Sequence, residues 1–200
     1  MDALGYALLA QEAYQADPDI GSAFSSSRAI CRMTDDGFCV TFRGSDNNAS
    51  WVTDLDIAVL DDTIIGKVHK GFWEAWQTVA GQVKAHAYAA KAPLTFCGHS
   101  LGAALAILAA ADCAASGIPV AAVYGFEPPR VSPHMNIRLL LMNIPVHLFK
   151  NGSDPVPGLP PFWNQSALLN QIGGKPGLLP DVKDHLVENV IAALSAAKSQ

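Results

Sequence analysis

Between residues 93 and 115 the chain reads PLTFCGHSLGAALAILAAADCAA, and this stretch restricts the fold more than any other. PLTFCG has the look of a short strand, and LGAALAILAAADCAA is apolar around its whole helical circumference. A helix without a polar face is stable only when it is covered on all sides, and a strand that is apolar at successive positions is covered on both faces. A buried strand running straight into a buried helix implies a layered α/β arrangement. The run from Leu101 to Ala111 ends at Asp112, short of the roughly 18 residues that suggest a membrane span, so no transmembrane segment is expected.

The flanking sequence repeats the alternation. SRAICRM and GFCVTFRG read as an antiparallel hairpin and GFWEAWQTVAGQVKAHAYAA as a helix. IPVAAVYGF and IPVHLFKN read as two more strands, and DVKDHLVENVIAALSAAK as a closing amphipathic helix. Strands separated by helices predict a mainly parallel central sheet flanked by helices. With 200 residues, half of them hydrophobic, one domain over residues 1–200 is the expectation. A formal net charge of -5 without a Lys/Arg run excludes the electrostatic footprint of a nucleic-acid partner.

The first residues, MDALGYALLAQEAYQADPD, are acidic and helical in spacing, and lack a basic leader region or small-residue cleavage site. Cys31, Cys39, Cys97 and Cys113 have neither metal-ligand spacing nor the density of a disulfide scaffold. A two-residue turn at Asp35-Asp36 sends Cys31 and Cys39 to opposite faces of the hairpin. Both features lead to a cytoplasmic location with buried thiols as the expectation.

Ligands of such sheets bind beyond the carboxyl ends of the strands, and polar residues recur there. Gly98-His99-Ser100-Leu101-Gly102 fits G-x-S-x-G, a sharp strand-to-helix turn that lifts the serine hydroxyl above the sheet. The competing reading makes Ser100 an ordinary helix N-cap. A hydroxyl becomes a nucleophile only with a base, and the partners in this turn's fold follow in the order serine, acid, histidine. Asp154 follows VHLFKNG in a proline-rich loop, and of the six histidines only His185 comes after it. Asp181 and Asp184 read as first-turn residues favoured by a helix dipole, and His99 is expected to point away from the nucleophile. The N–H of Leu101, with Ser45 in FRGS, supplies candidate oxyanion donors, and Gly44 keeps that approach open.

VTFRGS, WVTDL, VHKGF, GHSLGAALA, YGFEPPRV, DPVPGLP and DHL occur in that order from about Val40 to His185. Together they resemble the class 3 lipase family of α/β-hydrolases, which contains fungal triacylglycerol lipases, feruloyl esterases and plant phospholipases. The resemblance implies an α/β-hydrolase fold in compact form and carboxylic ester hydrolysis through an acyl-enzyme. It implies a triad of Ser100, Asp154 and His185 with Ser45 and Leu101 as the oxyanion hole. Gly98 and Gly102 shape the turn, Trp51 and Asp54 flank a lid, and His69 and Arg130 support the loops, His69 through a hydrogen bond. Neither metal nor organic cofactor is implied, and the partner is an ester or lipid substrate met in transient contact with a lipid interface. Acyl transfer or phospholipid cleavage on the same scaffold, and a catalytically silent binding domain, remain open at this stage. The family's GSPRVG loop is replaced by GFEPPRVS, and the segment after Ser45, DNNASWVTDL, is polar in its first half. Weak interfacial activation and a preference for short or soluble esters are therefore expected.

Overall fold

Residues on successive strand positions enter two different apolar layers, and the fold is built around that alternation. The computed structural model describes residues 1–22, 24–25, 27–45, 57–177 and 179–198. Its elements in chain order begin with α1 (Ala3–Gln15), β1 (Ala29–Thr34) and β2 (Gly37–Phe42). A small ribbon of β3 (Val59–Leu60) and β4 (Val68–His69) leads into α2 (Lys70–Ala90). Then come β5 (Leu94–His99), α3 (Leu101–Ala115), β6 (Val120–Phe126), the short α4 (Asn136–Leu140), β7 (Val146–Asn151), β8 (Leu169–Ile172) and α5 (Val187–Lys198).

The main sheet has the order β1-β2-β5-β6-β7-β8. Only the β1–β2 hairpin is antiparallel, and every later neighbour pairs in parallel. The hairpin turns at Asp35-Asp36, with Cys31 opposite Val40 and Arg32 opposite Cys39. Cys31 packs with the larger core and Cys39 lies in the smaller one, on opposite sheet faces as the pleat requires. All four cysteines are free thiols.

On one face, Val40, Phe42, Leu94 and Phe96 meet Trp76 and Val83 of α2 and Leu105 and Leu108 of α3. On the other, Cys39, Cys97 and Phe126 meet Tyr6 and Ala10 of α1 and Val190 and Leu194 of α5. α3 is buried from Gly102 to Cys113, as its uniform apolarity demands. Asp112 lies inside this helix, as the expected span has it. Its carboxylate accepts from the Trp76 indole at 2.8 Å and the Lys84 ammonium at 3.0 Å, which makes its burial tolerable.

Three elements differ from the sequence expectation. β8 occupies a stretch with no strand signal. α4 is a single turn inside a presumed loop. The closing helix is also interrupted: Val182–His185 is a 3-10 turn capped by Asp181, whose carboxylate accepts from the Lys183 N–H at 2.9 Å. Leu186 is extended, and α5 starts only at Val187. That break turns His185 out of the helix and into the sheet's carboxyl end. Among the described residues, no helix is long and apolar enough to cross a membrane.

Candidate active site

The turn at Ser100 explains its two glycines. A β-carbon on Gly98 would run into the Gly102 carbonyl and come within 2.7 Å of the Ala103 nitrogen. One on Gly102 would collide with the carbonyl group of Phe42, the last residue of β2. Ser100 itself has φ 58° and ψ -125°, a backbone that residues with a side chain rarely adopt. Backbone bonds hold it there: its N–H donates to the Phe126 carbonyl at 2.9 Å, and its own carbonyl accepts from Ala103 at 3.0 Å. The hydroxyl makes no capping bond to α3, which removes the N-cap reading.

Instead the hydroxyl faces His185 Nε2 at 2.8 Å, and His185 Nδ1 faces Asp154 Oδ2 at 2.8 Å. All three side chains are buried. With Asp154 ionised, Nδ1 carries the ring proton and donates it to the carboxylate, which leaves Nε2 to accept from the serine hydroxyl. Burial works to raise the Asp154 carboxyl. The hydrogen bond from His185, the neighbouring Glu127 carboxyl, the His185 charge and the Val156 N–H outweigh it and hold the group below the usual range. The Val156 N–H reaches Asp154 Oδ1 at 3.0 Å, so each carboxylate oxygen has a donor.

The loop bearing His185 is fastened to the loop bearing Asp154. Asp184 Oδ2 accepts from the Ser153 N–H at 2.7 Å, and the Asp184 carbonyl accepts from the Asn151 side-chain amide at 3.0 Å. Gly152, at φ +46°, leaves the space that Asp184 fills. Asp184 is thus a brace between two loops rather than a residue favoured by a helix dipole. Asp181 is the cap of the 3-10 turn.

The His99 ring packs 4.9 Å from that of His185. Nε2 donates to the His185 carbonyl at 2.7 Å, and Nδ1 accepts from the Tyr14 hydroxyl at 2.8 Å. The carbonyl cannot donate, so the tautomer is fixed. Burial first, and then the His185 charge, push its pKa down to about 3, so the ring stays neutral.

Leu101 opens α3, where its N–H is one of the donors a helix leaves unpaired within itself. Gly44 brings the end of β2 onto the turn: a β-carbon there would meet the Tyr14 hydroxyl and lie 2.7 Å from the His99 carbonyl. Ser45 follows, lining with Tyr14, His99 and Leu186 a cavity of about 220 Å³. His69 is the N-cap of α2, its Nδ1 accepting from the Phe72 N–H at 3.4 Å while the ring stacks on Phe72. Arg130 joins its loop to the Leu159–Pro160 turn through its N–H and its guanidinium. Trp51 and Asp54, and with them the segment on which interfacial behaviour was judged, lie outside the described residues.

Sequence reasoning passes over Glu127, the buried residue after β6. Its signal is the one shared by Ser100 and Asp154, a polar residue just past an apolar strand. Glu127, Asp154 and His185 bring one ligand-type atom each within 4.8 Å of one another. His185 Nδ1 is committed to Asp154 and Nε2 faces Ser100.

The family description Lipase (class 3) matches residues 39–163. A secreted mono- and diacylglycerol lipase 1 of Fusarium solani is 38% identical over 131 residues, covering 62% of this chain and 39% of its own. A secreted mono- and diacylglycerol lipase A of Penicillium cyclopium is 32% identical over 136 residues, covering 64% and 44%. The chain spans about two fifths of the length of these curated relatives. A crystal structure of a lipase from Rhizopus microsporus var. chinensis superposes with a TM-score of 0.72 at 21% identity, over 95% of this chain and 82% of that one. The fold is the α/β-hydrolase fold.

These relatives overturn the cytoplasmic location expected from the sequence, since both are named as secreted. Neither feature of the sequence bears on the compartment. The first residues form α1, docked against the sheet, so their lack of leader features describes a folded helix and not a compartment. Cys39, Cys97 and Cys113 are buried, and packing shields such thiols anywhere.

Proposed function

We propose, from the premise that this chain belongs to the class 3 lipase family, that it hydrolyses carboxylic esters through an acyl-enzyme on Ser100. The observation that carries the reading is the unbroken hydrogen-bond line Ser100–His185–Asp154, 2.8 Å at each link. His185 takes the hydroxyl proton as Ser100 attacks the acyl carbon, and returns it to the leaving alcohol. Water, deprotonated by the same ring, then attacks the acyl carbon and releases the acid. Asp154 keeps the ring in the tautomer that accepts at Nε2 and stabilises the imidazolium that forms. The Leu101 N–H, at the positive end of α3, and Ser45 stabilise the charge developing on the tetrahedral oxygen.

The names of the relatives support mono- and diacylglycerol-type esters as the substrate class and export from the cell as the setting. Val182 and Leu186, within three residues of His185, are exposed, which supports transient contact with a lipid interface. Ser100→Ala removes the nucleophile without changing the buried volume much. Its kcat on a soluble nitrophenyl ester falls by about 10⁴- to 10⁶-fold, the scale on which triad members act as a unit, and labelling by a serine-directed phosphonate is lost. Turnover that survives in this variant refutes the assignment.

A further inference from the structure

Glu127 is placed where an ionised carboxylate is hard to sustain. The side chain is fully buried, and removing a charge from water costs several kcal/mol unless it is well paired. Its Oε1 accepts from the Asn151 N–H at 2.5 Å. Its Oε2 is buried and has no hydrogen-bond donor facing it among the described residues. Asp154 is its neighbour, and it already holds the negative charge against His185 and Val156. Two adjacent buried carboxylates do not both ionise. A proton on Glu127 resolves both problems, because it turns Oε2 from an orphan acceptor into a donor.

The backbone points the same way. Glu127 has φ +52°, a left-handed conformation that a residue with a side chain rarely adopts. The turn is held by its N–H, which donates to the Phe149 carbonyl at 3.0 Å, and it carries the carboxyl from β6 back over the end of β7. There Glu127 meets the Asp154 loop at its root, Asn151, and at Asp154 itself.

We propose, resting on the reading of Ser100, Asp154 and His185 as the triad, that Glu127 is a positioning residue whose un-ionised carboxyl donates a hydrogen bond to Asp154. The bond fixes the rotation that aims the Asp154 carboxylate at His185. Burial first, and then the hydrogen bond to Asp154 and its charge, push the Glu127 carboxyl well above the usual range; the Asn151 N–H and Lys150 oppose them more weakly.

Glu127→Gln and Glu127→Leu separate this role from a structural one, with kcat, KM and the pH profile read on a soluble ester. The glutamine amide keeps an acceptor for Asn151 and a permanent donor for Asp154. It retains kcat within about threefold and leaves the acid limb of kcat/KM in place, since a neutral group replaces a neutral group. The leucine variant loses about ten- to a hundredfold in kcat at unchanged KM, the factor carried by one hydrogen bond to a charged group. The groups that titrate or carry charge around this cluster are Asp154, His185, His99 and Lys150, and all four are common to the three proteins. A downward move of the acid limb by about one pH unit in Glu127→Gln means that an ionised Glu127 had been supporting the imidazolium, and overturns the proposal. Unchanged kcat in folded Glu127→Leu overturns it as well. If that variant does not fold, the glutamine arm decides, aided by the infrared carbonyl band of an un-ionised acid that must vanish in it. Turnover in Ser100→Ala would instead sink the triad reading, whatever Glu127 does.

Discussion

Neutral His99 makes the protein sensitive to acid in a way that can be calculated. The unfolded chain takes up a proton at this residue below the ordinary value of 6.5, whereas the folded protein resists until about 3. Between those values the unfolded state binds more protons, so its share of stability is intact above pH 6.5 and is lost as pH falls toward 3. At 1.36 kcal/mol per unit, moving from neutral pH to pH 5 costs about 2 kcal/mol through this residue alone. For a chain of this size that is roughly 4–8 °C in Tm. Protonation would place a positive charge 4.9 Å from the His185 ring and leave the Tyr14 hydroxyl facing a donor. The assay compares urea unfolding of the wild type and His99→Gln at pH 7.5 and pH 5. Glutamine keeps an N–H for the His185 carbonyl and cannot titrate, so it loses about 2 kcal/mol less than the wild type over the interval. Contributions from other titrating groups cancel in the double difference. Equal losses in both proteins would refute the argument.

Substitutions at three further positions test the scaffold. Gly102→Ala drives a methyl into the Phe42 carbonyl, a backbone group that cannot yield, and costs about 3 kcal/mol. Gly81→Ala, on α2 with open space beside it, gains about 0.5–1 kcal/mol, and the two are compared by thermal melts. Asp112→Ala leaves the Trp76 indole N–H buried without an acceptor while Lys84, 27% exposed, regains water, for a loss of about 2–3 kcal/mol in urea. Asp112→Asn, which keeps an acceptor for the indole, loses less; an equal loss would assign the effect to the Lys84 pair.

What sequence discloses here is what local chemistry determines. The strand–turn–helix around Ser100 is legible because two glycines, an apolar run before them and an alanine-rich run after them fall within about twenty residues. β8 is not legible: Leu169–Ile172 is an edge strand whose Asn170 and Gln171 use their amides on the Leu148 and Gly152 carbonyls, so it lacks the apolar run of an inner strand. The apolar spacing of residues 181–198 continues across Leu186 and conceals the break before α5. Asp154 and His185 are legible through their chain order. Glu127, Asp184 and His99 are not, because their roles exist only between loops that the sheet brings together.

The chain order of the site follows from the sheet itself. From β5 to β8 the spatial order of strands equals their order in sequence, and the segments that follow them bring the clustered side chains together: Ser100 after β5, Glu127 after β6, Asp154 in the loop after β7, and His185 in the turn between β8 and α5. The parallel ladder continues one step into the turns, from the Ser100 N–H to Phe126, from Glu127 to Phe149 and from Gly152 to Ile172, so backbone bonds set the register of each loop on its neighbour. β5 and β7 are two strand spacings apart, about 10 Å. An imidazole with a 2.8 Å hydrogen bond at each end is a rod suited to that gap. Serine and carboxylate are held at the ends of the span by strands, and His185, on the segment between β8 and α5, is held between them by the Asp184 and His99 contacts. Loosening either contact should therefore lower kcat while leaving the Ser100 turn and the sheet unchanged.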